Sequence, residues 1–229
     1  MNIASCIRGQ PCAVFIGEEF SGGCNIINRI QFGDGILWAL RVPYDEVRSP
    51  VEHTVTTMRY VQRTVPSIPI ATVHAWSDSE DGDGVGTPYM LLDWVNGKTL
   101  KWDANVPPPA AREKVLGQLA QYTVDLLART VTNSSPQSAL TWILRRIDSR
   151  LSRILTGKLL GFDPVDCLIY RAMAKEIYFV SPLDGFPFPL MHTDLGRLNI
   201  LVDDNYDITG YNIYRFPSQW HAVECFSGS

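Results

Sequence analysis

The stretch His192-Thr193-Asp194-Leu195-Gly196-Arg197-Leu198-Asn199 decides how this chain reads. It runs directly into the apolar segment Ile200-Leu201-Val202, the turn Asp203-Asp204-Asn205 and a second β-rich segment, Ile208 to Tyr214. The spacing H-x-D-x-x-x-x-N at the mouth of a β-hairpin has a chemical logic. Asp194 would accept a proton from a hydroxyl group, Asn199 would reach a metal ion, and His192 would brace the loop by hydrogen bonding. The plainer reading is that His192, Asp194 and Asn199 only cap a turn. The full spacing followed by a hairpin favours the chemical one.

Upstream, the first hundred residues alternate short β-rich runs with turn signals. Ala13 to Ile16, Cys24 to Phe32 and Ile36 to Val42 read as strands, with Gly33-Asp34-Gly35 as the hairpin turn between the last two. Residues 13–42 therefore read as an antiparallel meander. Val51, Val55, Met58 and Val61 recur at helical spacing, which predicts a helix over 48–64, stopped at Pro66-Ser67-Ile68-Pro69. Ala71 to Trp76 and Tyr89 to Val95 read as strands around the acidic, Gly-rich loop 77–86. After Pro107-Pro108-Pro109 the period becomes helical. Leu116, Leu119, Tyr122, Leu126 and Leu127 form one expected face, Ile143, Ile147, Leu151 and Ile154 another, and a third helix runs from Pro164 to about Glu176. Pro189 to His192 and Asn199 to Val202 return to β. The order gives an α+β plan: a β-rich lobe with one helix over 1–95 and a helical lobe carrying the loop and hairpin over 96–229.

Composition bounds the function. Twenty Lys and Arg against 24 Asp and Glu leave a formal charge of −4, so bulk charge gives no attraction to nucleic acid. No apolar run is long enough to span a bilayer, and the first residues lack the basic-then-apolar order of a signal peptide. The five cysteines, Cys6, Cys12, Cys24, Cys167 and Cys225, are scattered without ligand spacing, which predicts reduced thiols in a cytoplasmic protein with no metal-binding set. Arg145, Arg146, Arg150 and Arg153 read as a solvated helix face, Trp94, Trp102 and Trp142 as packing residues, and His53, His74 and His221 as structural histidines.

The loop spacing is that of kinase catalytic loops, and nearly the whole chain resembles the aminoglycoside phosphotransferase/choline-kinase-like family, its fungal members in particular. Trp38-Ala39-Leu40-Arg41-Val42-Pro43 resembles that family's third strand, which puts Arg41 where a basic residue handles nucleotide phosphates. Arg41 paired with a nearby carboxylate is an equally open reading. Thr87 to Gly97 resembles the hinge strand whose backbone meets adenine, with Asp93 in it, and Gly161 to Asp166 also recurs in the fungal members. Ser21, Gly22 and Gly23 fit either a phosphate-cradling loop or a plain turn. The resemblance implies the protein-kinase-like two-lobed fold.

Departures from the family qualify its activity. The family follows the hairpin with a Gly-x-x-Asp-Trp-like string whose Asp is the principal magnesium ligand. Here the string is Gly210-Tyr211-Asn212-Ile213-Tyr214, and Ile213 takes the Asp position. A hydrocarbon cannot coordinate a cation that demands oxygen ligands. Asn212 faces the other way unless a bulge intervenes. The helix glutamate that should pair with the third-strand basic residue is replaced by Thr54, with Glu52 two residues off. Sixteen residues follow Ile213 where the family continues with more helices, so the resemblance implies a C-terminally truncated fold without their substrate wall.

The expected function is therefore a phosphotransferase-fold protein that binds a small organic molecule, has lost Mg-ATP phosphoryl transfer, and uses Asp194 and His192 as an ATP-independent acid/base pair in a biosynthetic pathway. ATP and Mg²⁺ enter only under the first alternative, a hydroxyl phosphotransferase with an unusual metal site built from Asn199, Asn212 or Asp207. The second alternative is a non-catalytic, pseudokinase-type binding module. Neither nucleic acid nor membrane is an expected partner, and an exposed apolar lobe edge would allow a homodimer.

Overall fold

The computed structural model describes residues 3–15, 20–21, 25–44, 50–79, 85–130, 138–174, 176, 190–192, 195–211 and 220–221. Asp194, Gly22, Gly23, Asn212 and Ile213 lie outside them, as does the side chain of Ser21. The described chain is α+β and falls into two compact units, one of Met1–Arg129 with Met191–His221, the other of Thr130–Leu190 with Ala222–Ser229.

The first unit is built on an antiparallel sheet. Strands β1 (Cys12–Val14) and β2 (Phe20–Ser21) both pair with β3 (Asn25–Phe32), which pairs with β4 (Leu37–Pro43). The sheet continues through β6 (Tyr89–Asp93) to β5 (Val73–Ser77), so its order is β1-β3-β4-β6-β5. The meander is as the alternation predicts, and Gly35 turns it at φ +85°, a conformation glycine adopts without a Cβ clash. The predicted strand over 89–95 stops at Asp93.

One face of this sheet carries a core of Ile30, Phe32, Trp38, Tyr89 and Leu91, closed by Ala4. Ala4 belongs to α1 (Ile3–Arg8), a one-and-a-half-turn helix that sequence periodicity does not reveal. Arg8 pins that helix, donating two hydrogen bonds to Asp34 at 2.8 and 2.6 Å while its guanidinium covers the Phe32 ring. The paired guanidinium pulls the Asp34 carboxyl down to about 2.

Helix α2 (Val51–Thr64) buries Val51, Val55, Met58 and Val61, the face its spacing predicts. Pro50 offers no side-chain cap, so the helix borrows one. The Asp78 carboxylate, just beyond β5, accepts the N–H groups of Val51 and Glu52. A carboxylate on these unpaired donors also complements the positive end of the helix.

A second, three-stranded sheet joins β7 (Lys98–Thr99), β9 (Ile200–Val202) and β10 (Ile208–Tyr211) in the order β10-β9-β7. Asn199, expected as a strand residue, instead ends a 3₁₀ turn over Arg197–Asn199. Helix α3 (Pro109–Thr130) buries Val115 and Leu126, whereas Leu116 and Leu127 stand 54% and 44% exposed. That corrects the expected face: α3 has apolar residues on two sides, and periodicity alone does not choose between them. Gln118 and Lys114 of α3 hold the hairpin turn, through Asp207 at 2.9 and 2.7 Å and through the Ile208 N–H at 2.8 Å.

In the second unit, α4 (Ala139–Leu155) and α5 (Pro164–Met173) are each capped by their own sequence. Ser138 accepts the Thr141 N–H and Asp163 accepts the Val165 N–H. Arg171 bonds Asp148 between the helices at 2.7 Å. The basic side of α4 is exposed as predicted, with Arg146 over the Trp142 ring and Arg150 over Phe162. Cys6, Cys12 and Cys167 are free thiols, and no helix among the described residues is long and apolar enough to cross a membrane.

Candidate active site

The catalytic-type loop is held at both ends by β structure. Before it, β8 (Met191–His192) pairs with β11 (Trp220–His221). After it, Leu100 donates to the Ile200 carbonyl at 2.9 Å, which carries β9 onto the chain beyond β7. Within it, the Asn199 N–H closes the 3₁₀ turn on the Gly196 carbonyl at 2.8 Å, and Asn199 is 4% exposed. Arg197 donates from Nη1 to the Trp102 carbonyl at 2.8 Å, tying the turn to the segment that leads into α3. Sequence reading passes over Arg197, because its partner lies 95 residues away.

His192 stacks against Tyr211 with ring centroids 5.7 Å apart. Tyr211 ends β10, immediately before the Asn212-Ile213 pair. Burial pushes its hydroxyl strongly up, and the nearby Tyr122 adds to this, so the ring is a neutral packing surface at any physiological pH. The stacking brings His192 at the end of β8 against Tyr211 at the end of β10. The register slips between Ile208 and Gly210, so Thr209 is a bulged residue. That bulge lies upstream of Asn212.

Two glycines allow the chain after β6 to lie on this hairpin. A Cβ on Gly210 would stand 2.7 Å from Val95 Cγ1, and one on Gly97 would stand 2.5 Å from Thr209 Oγ1. The first glycine of the family-like string is therefore needed for a close approach, whatever follows it.

In the larger sheet, Arg41 is 6% exposed and pairs in register with Ile27 and Met90. Its strand neighbours Leu40 and Val42 pack on the core around Trp38, so Arg41 projects from the other face. Asp93 pairs with Trp38, three residues along from Arg41, about 10 Å away. Directly paired residues share a face, so the Asp93 and Arg41 side chains are on opposite faces. Glu52 is exposed and Thr54 half-buried.

Asp93 is committed locally. It accepts from His74 Nε2 at 2.6 Å and from the Thr72 N–H at 3.3 Å. The His74 ring stacks on Trp38 at 3.9 Å. The register slips between Val73 and Ala75, making His74 the extra residue of a bulge that re-aims its side chain. Sequence shows His74 no partner, and the bulge supplies one. Burial pushes the Asp93 carboxyl up, but hydrogen bonds from Thr72 and His74 and the His74 charge outweigh it, so the net shift is downward. A depressed carboxyl stabilises the fold above the unfolded value of about 3.9, and the contribution is lost as pH falls through the folded value. Between about pH 6 and about pH 3, the urea midpoint of wild type should therefore fall further than that of Asp93→Asn. Parallel losses in the two proteins would show that Asp93 is not linked to acid stability.

Among the described residues, no group of three or more His, Cys, Asp or Glu could hold a metal. Asp207, a candidate ligand, is turned onto Lys114 and Gln118 instead.

No protein-family model matches this chain, and no curated protein matches it in sequence. Solved structures do match in fold. A Ralstonia eutropha JMP134 protein assigned to the aminoglycoside phosphotransferases superposes with TM-score 0.59 at 15% identity, over 88% of this chain and 58% of that one. The type VIII aminoglycoside-3′-phosphotransferase gives 0.58 at 18%, over 91% and 74%. An APH(2″) enzyme solved with GDP and kanamycin gives 0.52 at 19%, over 88% and 66%. The chain thus has the aminoglycoside-phosphotransferase fold, of the protein-kinase-like kind, and spans 58% and 66% of two of these chains.

Proposed function

We propose that this chain uses the phosphotransferase fold to bind a small organic molecule beside its catalytic-type loop and does not carry out ordinary Mg-ATP phosphoryl transfer. Residues 1–95 would form the lobe that faces a nucleotide in the fold's kinases, and 96–229 the lobe with the loop. The observation that carries the reading is Ile213, which the resemblance puts at the position of the metal-binding aspartate, in a chain that also carries Asp194 in the loop spacing. Phosphoryl transfer depends almost entirely on positioning and charge neutralisation, so removing the main anionic anchor for the ion removes the reaction's chief electrostatic support. The retained carboxylate still has chemistry available. Asp194 would take a proton from the bound molecule and, once protonated, return one, with His192 holding the loop. A biosynthetic step, a cytoplasmic location and association with a second copy belong to the same reading.

The alternative, a hydroxyl phosphotransferase with an unusual metal site, is favoured by one observation. Arg41 is buried on the sheet face away from the core, where such a fold handles phosphates. Phosphorus NMR of Mg-ATP with the chain and a pool of hydroxylated metabolites separates the two. We expect no acceptor-dependent ADP, and an ATP-free change in one metabolite that Asp194→Asn abolishes. Hydroxyl-dependent ADP release would overturn the reading. A metabolite change that survives Asp194→Asn would remove the acid/base role.

A further inference from the structure

Taking up the association with a second copy in that reading, on which this rests, we propose that two copies of the chain pair through the outer face of α3, antiparallel about a two-fold axis. Helix α3 buries Val115 and Leu126, and Gln118 and Lys114 tie it to the hairpin turn. On its other flank Leu116, Val124 and Leu127 stand 54%, 57% and 44% exposed. Gly117, Ala120, Thr123 and Ala128 beside them are exposed as well. Leu116, Ala120, Thr123 and Leu127 follow one another at intervals of four, three and four, which sets them in one row along the helix. The row is about 17 Å long.

The row carries no charge. Between residues 116 and 128 the only charged residue is Asp125, which lies on the opposite side of the helix from Leu116. Its carboxylate accepts from Ser67 and from Gln121, each at 2.8 Å. The Thr123 hydroxyl donates to the Leu119 carbonyl at 2.8 Å, so its polar atom is already engaged within the helix. Gly117 is a separate sign. Glycine is a poor helix former, and a Cβ there would meet no atom of the described residues within 4 Å. The room it leaves lies outside the chain.

A second copy suits this face better than a charged partner. An anionic lipid surface or a charged peptide would find no ion to pair with along the row. The 4-3-4 spacing reads the same in both directions. In an antiparallel pair Leu116 therefore meets Leu127 of the second copy, and Ala120 meets its Thr123. Small residues at the centre let the helix axes approach closely, and Val124 of the second copy comes level with the gap at Gly117. Glu113 comes level with Thr130 of the second copy, so the two Glu113 carboxylates stay about 25 Å apart along the helices. The face exposes on the order of 400 Å² of apolar surface. Homodimer interfaces are about 65% apolar, which implies roughly 600 Å² per copy against about 800 Å² in a standard interface. An interface of that size gives a dimer that forms with concentration and not an obligate one.

Sedimentation velocity of the whole, nucleotide-free chain between about 1 and about 200 µM tests this. We expect the wild type to pass from monomer to dimer across that range. Leu116→Glu sets a charge against Leu127 of the second copy and should weaken the dimer roughly tenfold or more. Adding Leu127→Lys in the same chain places opposite charges against each other in the antiparallel pair and should recover most of that loss. Gly117→Leu fills the gap that Val124 of the second copy would use. It should weaken the dimer yet raise the urea midpoint of the monomer, because leucine favours the helix. It is the second test if Leu116→Glu fails to melt cooperatively. The proposal is overturned by a wild type that stays monomeric at about 200 µM, whether or not it floats with phosphatidylserine vesicles. It is equally overturned by a dimer that neither Leu116→Glu nor Gly117→Leu weakens, or by a double variant as monomeric as Leu116→Glu. Because the readout needs no nucleotide, a monomeric wild type would leave the phosphotransfer reading untouched, and acceptor-dependent ADP release would leave the dimer standing.

Discussion

Gly97→Ala is expected to destabilise the fold by about 3 kcal/mol, the sum of two separate causes. Gly97 has φ +147°, a region that L side chains rarely enter. Its Cβ would also sit 2.5 Å from Thr209 Oγ1 and 3.1 Å from the Val202 carbonyl oxygen. The threonine hydroxyl could rotate, but the carbonyl belongs to β9 and cannot withdraw without breaking the hairpin. Gly86→Ala is the control. Gly86 also has positive φ, at +75°, yet a Cβ there meets nothing within 4 Å. It should lose only the conformational part, about 1 kcal/mol. Urea unfolding followed by far-UV circular dichroism reads both. Equal losses would mean that the segment after β6 is not packed on the hairpin as described.

Ile213→Asp is expected to act in the opposite sense, adding a property that wild type lacks. The variant supplies the anionic oxygen that the family's string carries at this point. A single electrostatic contact of this kind in an enzyme site is worth about 3 kcal/mol, or roughly 10²-fold. The gain should appear as magnesium-dependent nucleotide affinity. Asn199, buried at the foot of β9, then becomes the second oxygen donor that its place in the loop spacing suggests. Turnover need not follow, since the resemblance puts Thr54 where a helix glutamate would brace the third-strand basic residue.

What was legible in the sequence depended on distance along the chain. The meander over β1–β4 and helix α2 follow from local alternation and from the i, i+3, i+4 recurrence of Val51, Val55, Met58 and Val61. The β9–β10 hairpin was legible because its apolar segments directly flank the turn Asp203-Asp204-Asn205. Features that sequence reading missed join distant segments. His74 and Asp93 meet only once β5 and β6 pair with a bulge at position 74. The Asp78 cap on α2 crosses 27 residues, and the Arg197–Trp102 bond crosses 95. Helix α1 is too short for periodicity to mark, and its burial depends on Phe32 and Trp38 from later strands. On α3 the difficulty was ambiguity: Leu116, Val124 and Leu127 repeat as regularly as Val115, Leu119 and Leu126, yet stand exposed.

The central claim is that an isoleucine replaces the anionic anchor of a divalent ion. ATP titrated by calorimetry into wild type and Ile213→Asp, each with and without Mg²⁺, tests it most directly. The account predicts that Mg²⁺ leaves the wild-type affinity unchanged and tightens the variant roughly 10²-fold. A wild-type chain whose ATP affinity already rises with Mg²⁺, and which Ile213→Asp leaves as it was, would contradict it.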